Sequence, residues 1–178
     1  MSKKNITTIH YRRKRAGKTN YKKRLNLLKT DVPRLVIRRT NKNIVVQLIK
    51  YSPNGDVVLS SATTAELKKL GWTHSCSNIP AAYLTGLLLA KKTSEKSAII
   101  DLGLQTPLGG TKIFAAVKGA VDGGLSIKHE KDILPSEDRI IGKHIAEYSK
   151  KTNNDKAKDV PKAFDDVKSK ILEGVKEK

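Results

Sequence analysis

Arg34-Leu35-Val36-Ile37-Arg38-Arg39-Thr40, Asn43-Ile44-Val45-Val46-Gln47-Leu48-Ile49-Lys50-Tyr51-Ser52 and Asp56-Val57-Val58-Leu59-Ser60-Ser61-Ala62 are three runs rich in Val, Ile and Leu. They are set apart only by Asn41-Lys42 and by Pro53-Asn54-Gly55. Branched side chains favour extended backbone, and connections this short join antiparallel neighbours, so the runs predict a three-stranded antiparallel sheet. In the second run Ile44, Val46 and Leu48 alternate with Val45, Gln47 and Ile49. One face of the sheet is therefore wholly apolar and packs on helices, while the other is at least partly open.

Downstream the period changes from two to that of a helix. Thr63-Thr64-Ala65-Glu66 has the spacing of a capping box, with Gly71 placed to end a short helix through Leu70. Asn78 can cap a helix from Ile79 to about Lys92, in which Ala82, Tyr83, Gly86, Leu87 and Ala90 share a face whose small residues permit close approach to a sheet. Ser97 to Gly103 reads as a buried strand around Ala98-Ile99-Ile100. Thr111 then starts a helix that turns Phe114, Val117 and Val121 inward and stops at Gly123-Gly124. Ser136, followed by Glu137 and Asp138 where the helix dipole favours anions, starts another bearing Ile140, Ile141, Ile145 and Tyr148. A strand reached through a helix requires a crossover. The fold class is α/β: a mixed sheet, three antiparallel strands plus a crossover strand, packed with helices.

Two segments flank this domain of residues 31–149. Residues 150–178 comprise a polar linker, Asn153 to Lys158, and an amphipathic helix on which Phe164, Val167, Ile171 and Val175 recur; it either docks on the body or finds a partner. Residues 1–30 form a basic arm and helix. In the arm, residues 1–18, with Tyr11-Arg12-Arg13-Lys14-Arg15-Ala16-Gly17-Lys18, lack apolar periodicity and are expected to be disordered until they meet an anion. Thr19 is a candidate cap for a helix with Tyr21, Leu25 and Leu28 on one stripe, stopped by Val32-Pro33.

Charge is distributed as unevenly as structure. The 178 residues carry 36 Lys and Arg against 17 Asp and Glu, a net charge of +19. Residues 1–42 alone hold fifteen basic side chains and one acid, Asp31, whereas residues 43–149 hold twelve and ten. The middle folds and the arm binds, and the partner is a polyanion that neutralises this self-repelling charge.

Other chemistries fit poorly. One cysteine excludes an internal disulfide framework and suits a reducing compartment. Met-Ser-Lys-Lys-Asn leads into no apolar signal region, and the most apolar stretch, Ile79 to Ala90, is too short to span a bilayer, so a cytoplasmic protein away from membranes is expected. The loop Gly103 to Lys112 resembles a phosphate-binding loop superficially, but Thr111 precedes Lys112 where that loop needs the reverse order. His10, His74, Cys76, His129 and His144 lack metal-ligand spacing, and no cofactor is expected. Asp101, at the end of a strand, is where a two-metal nuclease would place its first ligand, with Asp122, Glu137 and Asp138 as further carboxylates in the sequence. A metal-dependent RNA-processing nuclease is thus the alternative to a non-enzymatic binding protein.

Arg and Lys on an arm gain affinity for nucleic acid by releasing counterions, a contribution without sequence information. Tyr11 and Tyr21, interleaved with Arg12, Arg13, Lys14, Arg15 and Lys18, can stack on unpaired bases, which suits structured RNA with loops and bulges. Arg38, Arg39 and Lys42 cluster at the first hairpin and extend that surface or simply charge its tip.

Seven segments in one order carry a family resemblance from Tyr11 to Tyr148. They are Arg12-Arg13 through Gly17-Lys18-Thr19-Asn20-Tyr21 to Arg24-Leu25; Pro33-Arg34-Leu35-Val36; Ser60 to Gly71-Trp72; and Pro80-Ala81-Ala82-Tyr83-Leu84-Thr85-Gly86. Ile100-Asp101-Leu102-Gly103-Leu104, Phe114-Ala115-Ala116 to Asp122-Gly123-Gly124-Leu125, and Pro135-Ser136-Glu137-Asp138-Arg139 complete the set. The chain resembles the archaeal and eukaryotic branch of the universal large-subunit ribosomal protein family number eighteen. The resemblance implies a non-enzymatic protein that binds 5S rRNA and helps attach it to 23S rRNA in the central protuberance of the large subunit. It carries RNA contact to Arg12, Arg13, Lys14, Arg15, Lys18, Tyr21, Lys22 and Arg24, with Arg38, Arg39 and Lys42 on the sheet side. The C-terminal helix, where that family varies, is assigned a contact to rRNA or to a neighbouring ribosomal protein.

Overall fold

A computed structural model describes residues 9–152 and 157–174. Its sheet comprises β1 (Arg34–Arg39), β2 (Ile44–Lys50), β3 (Val57–Thr63) and β4 (Ile99–Asp101), in the order β3-β2-β1-β4. The first three are antiparallel and β4 runs parallel to β1, the mixed sheet expected from the crossover. The first hairpin closes tightly. Thr40 N–H donates to the Asn43 carbonyl at 2.8 Å, and the Thr40 hydroxyl accepts from Asn43 N–H at 3.0 Å. Leu48 pairs with Ser60 but Ile49 pairs with Val58, so Leu59 is an extra residue that bulges the edge strand. β4 is shorter than expected, and Ile99 and Ile100 are only half-buried because it lies at the opposite edge.

The inner face of the sheet presents Leu35, Ile37, Ile44, Val46, Leu48 and Ala62, all buried under α3 (Ile79–Lys92) and α4 (Lys112–Asp122). Asn78 caps α3 by accepting from Ala81 N–H at 2.9 Å, and every residue from Ile79 to Ala90 is buried. The small-residue face of α3 meets another helix rather than the sheet. A Cβ at Gly86 would run into the Ala116 carbonyl of α4, and one at Gly119 into the Tyr83 carbonyl of α3. The two helices thus touch backbone to backbone, which their reciprocal glycines alone allow. Phe114 and Val117 face the core as expected, whereas Val121 is only partly covered.

Three further segments depart from the sequence reading. Glu66 does fold back, its carboxylate accepting from Thr63 N–H at 2.9 Å, but the turn it begins is a 3-10 helix, Glu66–Leu70, ended by Gly71 at φ +101°. The helix after Ser136 is broken in two, α5 (Glu137–Ile141) and α6 (Lys143–Lys151), because Gly142 takes φ +87°. Tyr148, on the second piece, stands in solvent, 69% exposed. Finally α7 (Val160–Gly174) docks on the body: Val160, Phe164, Val167 and Ile171 are buried, and the Phe164 ring lies 5.5 Å from that of Tyr83 on α3. Its apolar stripe is therefore satisfied within the chain; Val175 and most of the linker lie outside the described residues.

Candidate nucleic-acid interface

The outer face of the sheet is built from the alternate residues of the same strands, Arg34, Val36 and Arg38 on β1 with Val45, Gln47 and Ile49 on β2. Over it lies α2 (Tyr21–Leu28), preceded by the single helical turn α1 (Arg12–Arg15). The expected disorder of the arm is not what residues 9–18 show; residues 1–8 lie outside the described ones. The turn is held by contacts that local composition does not reveal. The Tyr11 and Tyr21 rings pack at a tilt of 49° with centroids 5.1 Å apart, and Arg13 Nε donates to the Thr19 hydroxyl at 2.8 Å. Thr19 being so engaged, Asn20 is the cap of α2, accepting from Lys23 N–H at 3.1 Å. The helix stops at Leu28, before Val32-Pro33 can act on it. Arg24 and Leu27 rather than Leu25 turn toward the body, and Leu25 is left 58% exposed.

A ladder of alternating charge ties α2 to the sheet. Arg24 Nη2 donates to both oxygens of Asp56 at 2.8 Å. Asp56 also accepts from Arg34 Nη2 at 2.7 Å, and Arg34 Nη1 donates to Asp101 at 2.7 Å. Asp101 then accepts from Arg38 Nη2 at 3.2 Å and from Gly103 N–H at 2.8 Å, while Arg38 Nη1 donates to the Asp101 carbonyl at 2.7 Å. Arg34 is only 3% exposed, so its charge has to be matched on the spot. Burial alone would raise the Asp101 carboxyl, but the Gly103 N–H and the two guanidinium groups outweigh it and hold the group below the usual aspartate range.

Between α2 and the outer face runs an open groove of about 720 Å³. Val36, Ile49, Leu27 and Leu102 give it apolar walls, and Arg13, Lys18, Lys23 and Arg38 line it with positive charge. Lys23 bridges it, donating to the Gly103 carbonyl at 3.3 Å.

The sequence candidates fall into three groups. Among the described residues Arg12, Arg15, Lys18, Lys22, Arg39 and Lys42 have no side-chain hydrogen bond or ion pair, and are available to a partner. Arg13 and Tyr21 are held by the Thr19 hydroxyl and the Tyr11 ring, and Lys14 lies 3.3 Å from His10 Nδ1. Arg24 and Arg38 are members of the ladder. The hairpin cluster is also divided, since neighbouring strand residues point to opposite faces: Arg38 lines the groove, whereas Arg39 lies beside the start of α4 with Lys112 and Arg139. Lys23, Arg34, Asp56 and Asp101 are parts of this surface that the sequence reading passed over or assigned otherwise. The period-two pattern of Arg34, Val36 and Arg38 was the available signal for Arg34.

Asp101 is committed to two guanidinium groups and a turn rather than to a metal site. Asp122 accepts from the Tyr83 hydroxyl at 2.9 Å and from Lys118 at 2.8 Å, and Asp138 pairs with Lys143 at 2.6 Å. No group of three or more metal-ligating side chains forms among the described residues. Trp72 belongs to the core, 1% exposed, with Nε1 donating to the Ser75 carbonyl. No helix among the described residues is long and apolar enough to cross a membrane.

Two comparisons bear on this surface. The family described as ribosomal large subunit proteins 60S L5 and 50S L18 matches residues 7–99 and 92–130, which include the arm from residue 7, α2, the whole sheet and α4. The large ribosomal subunit protein uL18 of Methanoregula boonei is 49% identical over 166 residues, covering 92% of each chain.

Proposed function

Given that the chain belongs to the family of ribosomal large subunit proteins 60S L5 and 50S L18, and so has a structural, RNA-binding role in the large ribosomal subunit of the cytoplasm, we propose that it binds 5S rRNA there and helps attach it to 23S rRNA in the central protuberance. The observation that carries the reading is the contiguity of unpaired cations on α1, α2 and the segment between them, Arg12, Arg15, Lys18 and Lys22, with the outer face of the sheet. Arg13, Lys14, Tyr21 and Arg24 are the arm residues held in place beside them, and Arg38, Arg39 and Lys42 extend the contact along β1 and its hairpin. The protein acts as a binding surface and not as an enzyme: Asp101 orders Arg38 and a turn. Neighbouring large-subunit proteins are its further partners.

Binding of the purified protein to labelled 5S rRNA across a salt series, with excess transfer RNA and duplex DNA as competitors, tests this. Affinity that survives the competitors is the expected result, because recognition by RNA shape requires more than counterion release. Binding erased equally by every polyanion would sink it.

A further inference from the structure

The groove under α2 is more than a basic surface, and its lining is what a phosphate contact alone does not need. Val36, Ile49, Leu27 and Leu102 give it apolar walls between the sheet and the helix. Its volume of about 720 Å³ falls within the roughly 300–1,000 Å³ of clefts that bury a small organic ligand. Six cations line it against two acids, and both acids already hold guanidinium groups. Arg34 also lines the groove, but it is buried and uses both terminal nitrogens on carboxylates, so it holds the walls rather than meeting a ligand.

We propose that this groove takes one unstacked nucleotide of the bound RNA, its base against Val36, Ile49 and Leu102 and its phosphate among Arg13, Lys18 and Lys23. The inference rests on the RNA-binding reading and sharpens it: the arm holds phosphates along the RNA, while the groove recognises a single base presented by a bulge or loop. A base has a flat apolar face for such walls and ring or carbonyl acceptors for the cations beside them. An acidic peptide would satisfy the cations but leave the apolar walls wet.

The test is methyl NMR on the full chain, titrated separately with adenosine monophosphate, with inorganic phosphate at matched ionic strength, and with a glutamate-rich peptide. The Val36, Ile49 and Leu102 methyls should shift with the mononucleotide and not with the other two. Ile49→Trp and Leu27→Trp, filling the groove from its two walls, should each remove the shifts at Val36 and Leu102. Each should also weaken 5S rRNA binding about tenfold, the loss of one base stack, and lower its salt slope by no more than about one unit, the single phosphate held in the groove. Methyls that ignore the mononucleotide, or that move equally with phosphate or peptide, would overturn the proposal. So would folded groove-filled variants that bind the RNA as the parent does. If the mononucleotide shifts appear but the parent chain does not prefer 5S rRNA, the groove stands and the ribosomal reading of its ligand falls.

Discussion

The two faces of one sheet are closed in opposite ways. On β1, Leu35 and Ile37 enter a dry layer in which α3 and α4 meet backbone to backbone at Gly86 and Gly119. One residue along, Arg34, Val36 and Arg38 face a layer held by five alternating charges, with a groove left open beside them. The inner face is specified by shape and the outer by charge balance. A side chain on the first fails when it is too large, and a side chain on the second when it leaves a partner uncompensated.

The strongest challenge to that contrast is Asp101→Ala. Removing the carboxylate leaves the buried Arg34 with Asp56 as its one remaining acid and takes one from Arg38, and the loss of stability by chemical denaturation should reach about 3 kcal/mol, the low end of the range for breaking a buried pair by deleting one partner. A loss within experimental error would mean that charge does not organise the outer face. Acid provides a second view of the same group. Its carboxyl is held below the ordinary value in the folded chain, so its stabilising contribution is complete above about pH 4 and disappears as pH falls through the lowered native value. Asp101→Asn should therefore flatten the stability profile across that window.

On the inner face Gly86→Ala should cost about 1–3 kcal/mol, the usual penalty of overpacking, since the added methyl meets a carbonyl oxygen of α4. Gly109→Ala, where a Cβ meets nothing nearer than 3.7 Å, is the matched control and should leave the unfolding midpoint in place. Arg24→Ala sharpens the outer face. Its pair with Asp56 is a third exposed, and the expected loss is at most about 1 kcal/mol, measured by the same denaturation. Changing Arg12, Arg13 and Arg15 together to Ala should leave the midpoint unmoved but lower the salt slope of 5S rRNA binding by roughly two to three units, at ~0.9 or less per phosphate contact. An unchanged slope would place phosphate elsewhere.

What could be read from the sequence was what neighbours along the chain determine. The three antiparallel strands end within two residues of their expected limits, because Val, Ile and Leu runs and the turns at Asn41-Lys42 and Pro53-Asn54-Gly55 are local signals. Asn78 and Gly71 serve as expected for the same reason. What escaped depends on distant partners. Arg34 meets Asp101 across 67 positions and Arg24 meets Asp56 across 32, so a local reading sees Arg24 as a free cation and Asp101 as a free carboxylate. The glycine face of α3 announced close approach, but only the fold shows that its partner is α4. Gly142 divides α5 from α6 where Val160 and Pro80 press against it, contacts invisible at that point in the chain. The candidate surface was legible as a charge excess on the arm; its division into free cations, laddered cations and a groove was not.

The charge ladder has a kinetic corollary. Its three arginines and two aspartates sum to a single positive charge packed within one short stack. A polyanion more than about 8–10 Å away, one Debye length at ordinary ionic strength, therefore senses it weakly. Steering of an approaching RNA falls to the unpaired cations of α1 and α2, and these set how fast the encounter forms and how steeply salt slows it. Once the RNA has arrived, the ladder keeps the groove walls in register, so its influence is felt in how long the complex lasts. Arm variants should change the association rate, and ladder or groove variants the residence time.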